Sequence, residues 1–392
     1  MANVVISKLI ELQKRIVKTA RGKSGEERVS LRDQEKYINK IKEPKSLFDR
    51  SYYQYKCQKK RNSSFTYCIV MSFANVGAFF CLIYFLFKKN KETAAQNRSN
   101  SIAVFLPDAS IMDRIPKSLQ DEFEEIVVGE DFGFSIGSAE RNLIISLWRS
   151  RPLSFVFVLK CALKIGYYCD AIDRTNASAV ITTSEDSYTS SVLTAYCHIR
   201  NVAHINMMHG EILYNLARTF FAFDRCYVWD DYYVSLLSDL RAEKKQFIVE
   251  VPEKLKYSNA YPISKSITYY LQAQSKEQMK AVRNLLINTN EDYKVRPHRI
   301  WTDMVSLNEV FDKKEIEDCE EVSIEESIMS TKYLVSVCST TLFQGYVNGK
   351  IAIVDDLSNP LMFEDLLKSR YIMLAKERGR RLSDYMGRKR FL

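Results

Sequence analysis

Residues 333–341 read Tyr-Leu-Val-Ser-Val-Cys-Ser-Thr-Thr, and residues 342–350 continue with Leu-Phe-Gln-Gly-Tyr-Val-Asn-Gly-Lys. The apolar run predicts a buried strand, and the hydroxyl residues Ser339, Thr340 and Thr341 mark the start of a helix. A helix N-terminus presents unpaired backbone N–H groups and a partial positive charge, to which Ser and Thr add hydroxyl donors. This turn is therefore expected to cap the helix and to bind an anion.

A second polar cluster, Tyr293-Lys-Val-Arg-Pro-His-Arg299, also follows a strand-like run, earlier in the chain. Arg296 and Arg299 offer charge-assisted hydrogen bonds to an anion, and His298 offers a further donor. A phosphate held between the two clusters would use both of them. A nucleotide-activated donor is the first ligand that this pairing predicts.

The formal charge of the 392-residue chain is +9, and it is concentrated near the N-terminus. Residues 1–100 hold 21 Lys+Arg and 8 Asp+Glu, a net of +13, so the other 292 residues sum to −4. A basic region beside an apolar segment suits an anionic membrane surface. The sequence has no zinc-finger spacing and no RNA-binding aromatic motif, so no nucleic-acid partner is expected.

Nine cysteines are scattered along the chain without a C-x-x-C pair. This pattern favours reduced, mostly buried thiols over a disulfide framework or a zinc site. The twelve glycines form no G-x-G-x-x-G or Walker loop, which argues against Rossmann NAD enzymes and P-loop NTPases. No cofactor is expected.

The N-terminal region combines a basic extension with an apolar segment. Residues 5–17 have apolar side chains at near-helical spacing with basic ones between them, which fits an interfacial amphipathic helix or a helix that packs on the body. Residues 65–87 contain no charged side chain, and as a helix they are long enough to cross a bilayer core of ~30 Å. Basic residues flank both ends of this segment, so the positive-inside rule does not fix its orientation.

From residue 101 onward, strand-like and helix-like runs alternate, which predicts parallel sheets with crossover helices. Because a second series of such runs begins near Tyr261, the expected fold class is α/β, with two Rossmann-like domains facing a cleft in a GT-B-like arrangement. The predicted division is a basic extension (1–64), a transmembrane or membrane-embedded helix (65–87), a first Rossmann-like domain (101–260), a second one (261–375) and a basic tail (376–392).

Three short motifs occur in order along the two predicted domains: Glu185-Asp-Ser187, Arg296-Pro-His298 and Ser339-Thr340. The set resembles the acidic, His-Pro and Ser-Ser/Thr motifs of bacterial sialyltransferases and polysialyltransferases of capsule and lipooligosaccharide synthesis. The resemblance runs over residues 101–360. This chain has Ser187 where the family has Gly, and Arg299 where the family has Pro.

The resemblance implies an acceptor-side first domain and a nucleotide-donor second domain. It points to Glu185 or Asp186 as the general base that deprotonates the acceptor hydroxyl, although Asp186 is equally suited to cap the following helix. It implies that His298 donates a proton or a hydrogen bond to the departing phosphate. The donor-binding residues that it implies are Arg296, Arg299, Ser339, Thr340 and Thr341.

A histidine and an acidic pair lie outside these three motifs. His209 lies in a Met-His-Gly turn after a strand, similar to a turn in glycerol-phosphate and other capsule transferases. It is expected to contact donor or acceptor, with a structural turn histidine as the alternative. Asp230 and Asp231 resemble a metal-binding D-x-D motif only superficially, so no metal is expected.

The predicted function is that of a membrane-associated, inverting, metal-independent glycosyltransferase of surface polysaccharide synthesis. Its most specific version uses CMP-sialic acid as donor and a glycan or lipid-linked glycan as acceptor. The alternatives are another capsule transferase, which moves glycerol phosphate or a different sugar, and a non-catalytic GT-B scaffold.

The catalytic domains are expected on the cytoplasmic side of the cell inner membrane. In a bacterium the nucleotide donor would be made there, and unpaired cysteines suit a reducing compartment. A single spanning helix would put the basic N-terminal arm and the body on opposite sides, which a re-entrant or interfacial helix avoids. A type II secretory topology is the alternative placement.

Overall fold

The computed structural model describes residues 30–61, 65–87, 101–129, 131–258, 261–375 and 378–389. Packing divides these residues into two units. The first takes in the described residues up to His209 together with Asn215–Glu250, and the second takes in Gly210–Tyr214 and the described residues from Val251 onward.

The first unit is built on a six-stranded sheet in the order β2-β1-β3-β4-β5-β6, in which every neighbouring pair is parallel. Its strands are β1 (Ile102–Phe105), β2 (Glu125–Val128), β3 (Ala179–Thr182), β4 (Ala203–Met207), β5 (Arg225–Val228) and β6 (Phe247–Val249). All four residues of β3 are buried. A parallel strand covered on both faces is mostly apolar, which is why Ala179, Val180 and Ile181 of β3 form an apolar run without alternation.

The helices of the first unit include two that precede the sheet and one long apolar helix. They are α1 (Leu31–Asn39), α2 (Leu47–Arg61), α3 (Phe65–Phe87), α4 (Lys117–Gln120), α5 (Ser138–Ser150), α6 (Phe155–Thr175), α7 (Ser190–Ile199) and α8 (Asp231–Asp239). In the described part of the chain, α3 is long and apolar enough over Cys68–Phe87 to cross a membrane.

The second unit has a five-stranded parallel sheet in the order β11-β10-β9-β7-β8. Its strands are β7 (Lys265–Tyr270), β8 (Tyr293–Arg296), β9 (Thr331–Ser336), β10 (Ile351–Val354) and β11 (Gly379–Arg381). Its helices are α9 (Lys276–Ile287), α10 (Met304–Val310), α11 (Ile324–Met329), α12 (Thr340–Val347), α13 (Pro360–Lys368) and α14 (Leu382–Lys389).

The α/β class and the two Rossmann-like parallel sheets predicted from the sequence are confirmed. In each sheet the strand order reverses beside its first strand, between β1 and β3 in one unit and between β7 and β9 in the other. Ligands of open α/β sheets bind beyond the carboxyl ends of the strands at such a reversal. The fold therefore marks one edge position in each unit, and a cleft between the two domains stays a prediction.

The residues assigned from the sequence to an N-terminal extension do not form a separate element where they are described. Ser51 and Gln54 of α2 are fully buried, and Arg50 pairs with Glu243 at 2.5 Å. Ser51 Oγ accepts a hydrogen bond from the backbone N–H of Val192 at 2.9 Å. Helix α2 is thus part of the first unit, because its polar side chains satisfy backbone groups there that would otherwise be buried without partners.

The predicted basic tail likewise contains a strand and a helix of the second unit. Strand β11 pairs in parallel with β10, and Leu382 directly after it is buried. Edge strands often carry charged side chains, so the arginines that gave the tail its basic character are compatible with a place in the sheet.

Candidate functional site

The carboxyl edge of the second sheet carries the first candidate site. Strand β7 lies between β9 and β8, so the segments that follow these three strands are neighbours. The predicted Ser-Thr turn follows β9, and the predicted Arg-Pro-His segment begins with the last residue of β8. The strand order therefore brings both predicted clusters to the position where ligands of parallel sheets bind.

Ser339 is the N-cap residue of α12. Its backbone is extended, with φ −155° and ψ 139°, and its Oγ accepts a hydrogen bond from the backbone N–H of Thr341 at 3.2 Å. The hydroxyl of buried Tyr371 donates to the Ser339 carbonyl at 3.1 Å and accepts from the Ser339 N–H at 3.4 Å. The capping role predicted for this turn is thus present, and anion binding by Ser339, Thr340 and Thr341 stays a prediction.

Gln272, directly beyond the end of β7, connects the two clusters. Its side-chain amide donates to Ser339 Oγ at 3.2 Å, while its backbone carbonyl accepts from Thr302 Oγ1 at 3.0 Å. Thr302 Oγ1 in turn accepts from the backbone N–H of His298 at 2.8 Å. A continuous hydrogen-bonded chain therefore runs from the His298 segment through Thr302 and Gln272 to the cap of α12, and we call it the Gln272 bridge.

The imidazole of His298 has a defined tautomer. Its Nδ1 accepts hydrogen bonds from the backbone N–H groups of Ile300 at 3.2 Å and Trp301 at 3.3 Å. A ring nitrogen that accepts from backbone N–H groups carries no proton, so the proton of the neutral ring is on Nε2. Desolvation by burial also lowers the pKa of His298. The ring is therefore a neutral donor through Nε2–H, better suited to give a hydrogen bond than to release a proton.

The two arginines of the same segment differ in their surroundings. Arg296 is buried and pairs with buried Glu317 at 2.6 Å, and it also donates to the Val322 carbonyl at 2.9 Å. Burial would raise the pKa of Glu317, but hydrogen bonds from Lys265, Ser327 and Arg296 outweigh that effect and lower it.

Arg296 thus has a partner inside the fold, because a buried carboxylate requires a charged partner, and donor binding by Arg296 stays a prediction. Arg299 is exposed. It donates to the Cys319 carbonyl at 2.9 Å and lies 3.5 Å from Glu320. Pairs this exposed are weak, so Arg299 can turn toward a phosphate at little cost.

An exposed apolar surface adjoins His298. Trp301 is 61% exposed and Ile300 is 77% exposed, and the Trp301 ring centroid lies 6.2 Å from that of His298. Aromatic faces accept flat rings by stacking. This surface is positioned beside a histidine that has a hydrogen-bond donor available.

The acidic motif in the first unit lies directly after β3, at the strand reversal of that sheet. The carboxylate of Glu185 is buried, with one oxygen 3.7 Å from Arg218 Nε and the other accepting from Asn206 Nδ2 at 3.5 Å. Asp186 is exposed. Helix α7 begins only at Ser190 with Thr189 as its N-cap residue, so the helix-cap role weighed for Asp186 is not found.

Helix α2 holds the acidic motif by its backbone. Gln54 Nε2 donates to the Glu185 carbonyl at 2.9 Å, and Gln58 Nε2 donates to the Asp186 carbonyl at 2.6 Å. Both glutamines are on one face of α2, four positions apart, and they reach consecutive carbonyls of the loop. The loop is therefore fixed while the Asp186 side chain stays accessible.

His209 follows β4 after one residue. Arg114 donates to its backbone carbonyl, and its Nδ1 is buried without a hydrogen-bond partner. A buried unpaired ring nitrogen is costly, and such atoms are often completed by a ligand or an ordered water. Contact of His209 with donor or acceptor stays a prediction.

No group of three or more His, Cys, Asp or Glu side chains that would suit a metal ion occurs among the described residues. Asp230 serves as the N-cap residue of α8, since its Oδ1 accepts from the Tyr232 N–H at 2.7 Å. This explains the acidic pair without a metal. Metal independence itself stays a prediction.

Sequence reasoning missed three residues of this region: Gln272, Thr302 and Trp301. Gln272 could have been predicted in the same way as the other clusters, because it is a polar residue directly after a predicted strand, Ser266–Leu271. Thr302 and Trp301 had no comparable signal, because their closeness to His298 depends on the turn that the chain makes after β8.

No protein-family model matches the sequence, and no curated protein matches it significantly. Among solved structures, the chain is similar to a UDP-N-acetylglucosamine 2-epimerase from Rickettsia bellii, with 9% identity and a TM-score of 0.42 over 64% of this chain and 78% of the other. It is also similar to Anabaena HepE in complex with UDP, with 9% identity and a TM-score of 0.37 over 66% and 81%. A glycosyltransferase from Rickettsia africae gives 12% identity and a TM-score of 0.36 over 66% and 80%. Likeness at this level does not bear on activity.

Proposed function

We propose that the protein is a glycosyltransferase that takes its sugar from a nucleotide donor. The observation that carries this proposal is the Gln272 bridge, which joins His298 to the Ser339 cap at the carboxyl edge of the second sheet. It supports the proposal because a neutral imidazole donor and the start of a helix then share one rigid support. Fixed donors of this kind stabilise the charge that develops on a departing phosphate.

In its specific form, the proposal is that CMP-sialic acid is the donor, that transfer inverts the anomeric centre and that no metal takes part. His298 donates from Nε2 to the leaving phosphate, and Ser339 and Thr340 bind the same phosphate at the start of α12. Asp186 removes the proton from the acceptor hydroxyl, since it is the exposed member of the acidic pair. The ordered motifs in the sequence support this version.

A nucleotide panel tests the proposal and separates its versions. Thermal unfolding is followed with CMP, CDP, UDP or GDP in the presence of EDTA, and calorimetry gives the affinities. A nucleotide at 100 times its Kd stabilises the folded state by about 2.7 kcal/mol. We expect CMP to raise Tm, and EDTA-resistant release of CMP from CMP-sialic acid in the presence of a glycan acceptor.

Any other outcome of the nucleotide panel would contradict the proposal that CMP-sialic acid is the donor. Because transfer of glycerol phosphate from CDP-glycerol also leaves CMP, release of CMP from CDP-glycerol and not from CMP-sialic acid would indicate transfer of glycerol phosphate, and stabilisation by UDP or GDP alone would indicate a different sugar. A folded protein that responds to none of the four would be a scaffold, and the proposal would fail.

We place this activity at the cytoplasmic face of the cell inner membrane, on a glycan or lipid-linked glycan of a surface polysaccharide. The basic N-terminal hundred residues and the nine cysteines, which form no disulfide, support that placement. An epitope at the C-terminus should resist external protease in intact cells and be cleaved after lysis. Cleavage in intact cells would show that the body is outside.

A further inference from the structure

We propose that α3 lies in the plane of a membrane, with one face docked on the first unit and the opposite face inserted into an anionic lipid surface. Two sets of side chains on this helix, one docked and one exposed, carry the inference. It is independent of the activity proposed above.

The docked face of α3 packs on α6 and its neighbours. Leu82 is fully buried in the same apolar cluster as Phe157 and Cys161 of α6. The Phe85 ring lies 5.1 Å, centroid to centroid, from Phe134.

Asn75 fixes the position of α3 along its axis, since its Nδ2 donates to the Leu153 carbonyl at 3.0 Å and its Oδ1 accepts from the Val156 N–H at 3.1 Å.

The opposite face of α3 is an exposed apolar stripe. Its members follow each other at intervals of three or four positions, which places them along one side of a helix. Their exposed fractions range from 42% to 82%. The stripe consists of Ile69, Phe73, Val76, Phe80, Tyr84 and Phe87. Leu153, which is 80% exposed and accepts the hydrogen bond from Asn75, adds to this surface.

An apolar cavity lies against the C-terminal end of the same helix. Its volume is about 540 Å³, and its apolar lining includes Ile83, Leu86 and Phe87 of α3 together with Ile145 and Trp148 of α5. Arg149 also lines the cavity. A cavity with apolar walls and one arginine suits an acyl chain whose phosphate headgroup stays in reach of the cation.

The charges near the helix favour an anionic lipid surface over a second copy of this basic chain. Lys59 and Lys60, at the end of α2, are exposed, and Lys88, Lys89 and Lys91 follow α3 in the sequence. Basic residues beside an inserted apolar face bind anionic headgroups. Two copies apposed through the same basic region would repel each other.

An in-plane helix fits the docking better than a spanning one. The docked contacts of α3 run from Asn75 to Leu86, a length of about 16 Å along the helix axis. A spanning helix would carry the attached α6, with Lys160 and Lys164, into the hydrocarbon to that depth. An in-plane helix enters only ~5–10 Å below the headgroups. It also leaves the basic N-terminal arm and the body on the same side.

Vesicle flotation of the full chain tests the proposal. We expect the protein to float with vesicles of phosphatidylcholine and phosphatidylglycerol and to bind pure phosphatidylcholine at least tenfold more weakly. The variant Phe73→Ser/Phe80→Ser/Phe87→Ser should lose at least tenfold in binding to the anionic vesicles. A matched variant, Leu361→Ser/Leu367→Ser, removes exposed apolar side chains from α13 of the second unit and should bind like wild type.

Two results would overturn the docking surface. One is undiminished vesicle binding by the triple variant. The other is a triple variant that changes the sedimentation of the protein without lipid, which would assign the stripe to contact between copies. Because all three replaced side chains are exposed, circular dichroism and Tm should match those of wild type.

A depth measurement separates an in-plane helix from a spanning one and does not depend on the serine variant. Phe73→Trp and Phe87→Trp place indoles about 21 Å apart along the helix. Lipids that carry bromine at a given position of the acyl chain should quench the fluorescence of the introduced tryptophan equally in both variants. Quenching by different chain positions would indicate a spanning helix and reject the in-plane arrangement.

Discussion

The side-chain amide of Gln272 donates a hydrogen bond to Ser339 Oγ at 3.2 Å, so the end of β7 holds the cap of α12. The backbone carbonyl of Gln272 meanwhile accepts from Thr302, which fixes the His298 segment. One residue therefore keeps two polar segments in register at the strand reversal of the second sheet. This relationship is the reason that the edge is a candidate site.

Replacing Gln272 should loosen the site. We expect Gln272→Ala to weaken nucleotide affinity ~5–10-fold, the equivalent of about one lost hydrogen bond, because the Ser339 hydroxyl loses its fixed orientation. Calorimetric titration measures the affinity. Gln278→Ala is the matched control, since the side chain of Gln278 takes part in the cap of α9 in the same unit. Equal affinity for wild type and Gln272→Ala would mean that the bridge has no part in binding.

Removing the hydroxyls of the Ser-Thr turn should separate capping from binding. Ser339→Ala with Thr340→Ala should cost about 1 kcal/mol of stability through the lost cap and also weaken nucleotide binding. Ser275→Ala removes a comparable cap from α9, and it should cost similar stability with affinity unchanged. Denaturant unfolding and nucleotide titration of both proteins give the comparison. Unchanged affinity in the double variant would leave capping as the turn's whole role.

His298 is expected to act as a neutral hydrogen-bond donor. His298→Ala should lower kcat by ~10²–10³, the usual loss for one transition-state donor. Because burial lowers its pKa and Nδ1 accepts two backbone hydrogen bonds, the active neutral form prevails above the ordinary histidine pKa. Its contribution to kcat/KM should be flat there and fall as the pH drops through the lowered pKa.

Histidine replacement elsewhere provides the control for this prediction. His198 is exposed and pairs with Asp224 at 2.6 Å in the first unit, so His198→Ala should keep near wild-type activity. An activity of His298→Ala within a few-fold of wild type would remove His298 from the site. A pH profile that rises on acidification through the histidine range would indicate a general acid and reject the neutral-donor role.

The acidic pair should divide into a catalytic and a structural member. We expect Asp186→Asn to abolish transfer with the fold and CMP binding nearly unchanged, because its exposed carboxylate is the proposed base. Glu185→Gln should instead lower stability, since the buried carboxylate faces Arg218 and Asn206. Transfer rates and denaturant midpoints measure the two effects. An inactive but fully stable Glu185→Gln would reverse the assignment.

Acid should destabilise the first unit through His204. This histidine is fully buried in β4, where Nδ1 lies 2.8 Å from Thr194 Oγ1 and Nε2 lies 3.2 Å from the Tyr168 hydroxyl. Burial lowers the pKa of His204 to about 3 from an ordinary value of about 6.5. As the pH falls, His204 is therefore protonated in the unfolded state before it is protonated in the folded state. The contribution of His204 to stability is complete above about pH 6.5 and decreases at lower pH.

The size of that acid effect can be measured. Between the two pKa values, each unit by which the pH falls lowers the free energy of unfolding by about 1.4 kcal/mol. The decrease ends near the pKa of His204 in the folded state. His204→Gln keeps polar groups in the site but does not titrate, so its free energy of unfolding should vary less between pH 6.5 and 4. Identical pH dependence in wild type and variant would show that His204 is not responsible.

Local sequence patterns predict much of the candidate site, but they do not predict which residues its side chains pair with. Polar residues after strands predicted the positions of His298 and Ser339 correctly, because parallel strands end at a common edge. The pairing of Arg296 with Glu317 was not predicted, since only the fold brings Glu317 to it. An arginine in a polar segment looks the same in the sequence whether it meets a phosphate or a buried carboxylate.

The α/β class, the two parallel sheets and the apolar helix α3 could be predicted from the sequence, because each depends on periodicity and run length within a short window. The central place of Gln272 in the candidate site, the support that α2 gives to the acidic loop and the docked face of α3 could not be predicted in this way. These features depend on strand order and on contacts between residues far apart in the chain. Local propensity contains no term for such contacts, so the packing of the whole chain selects them.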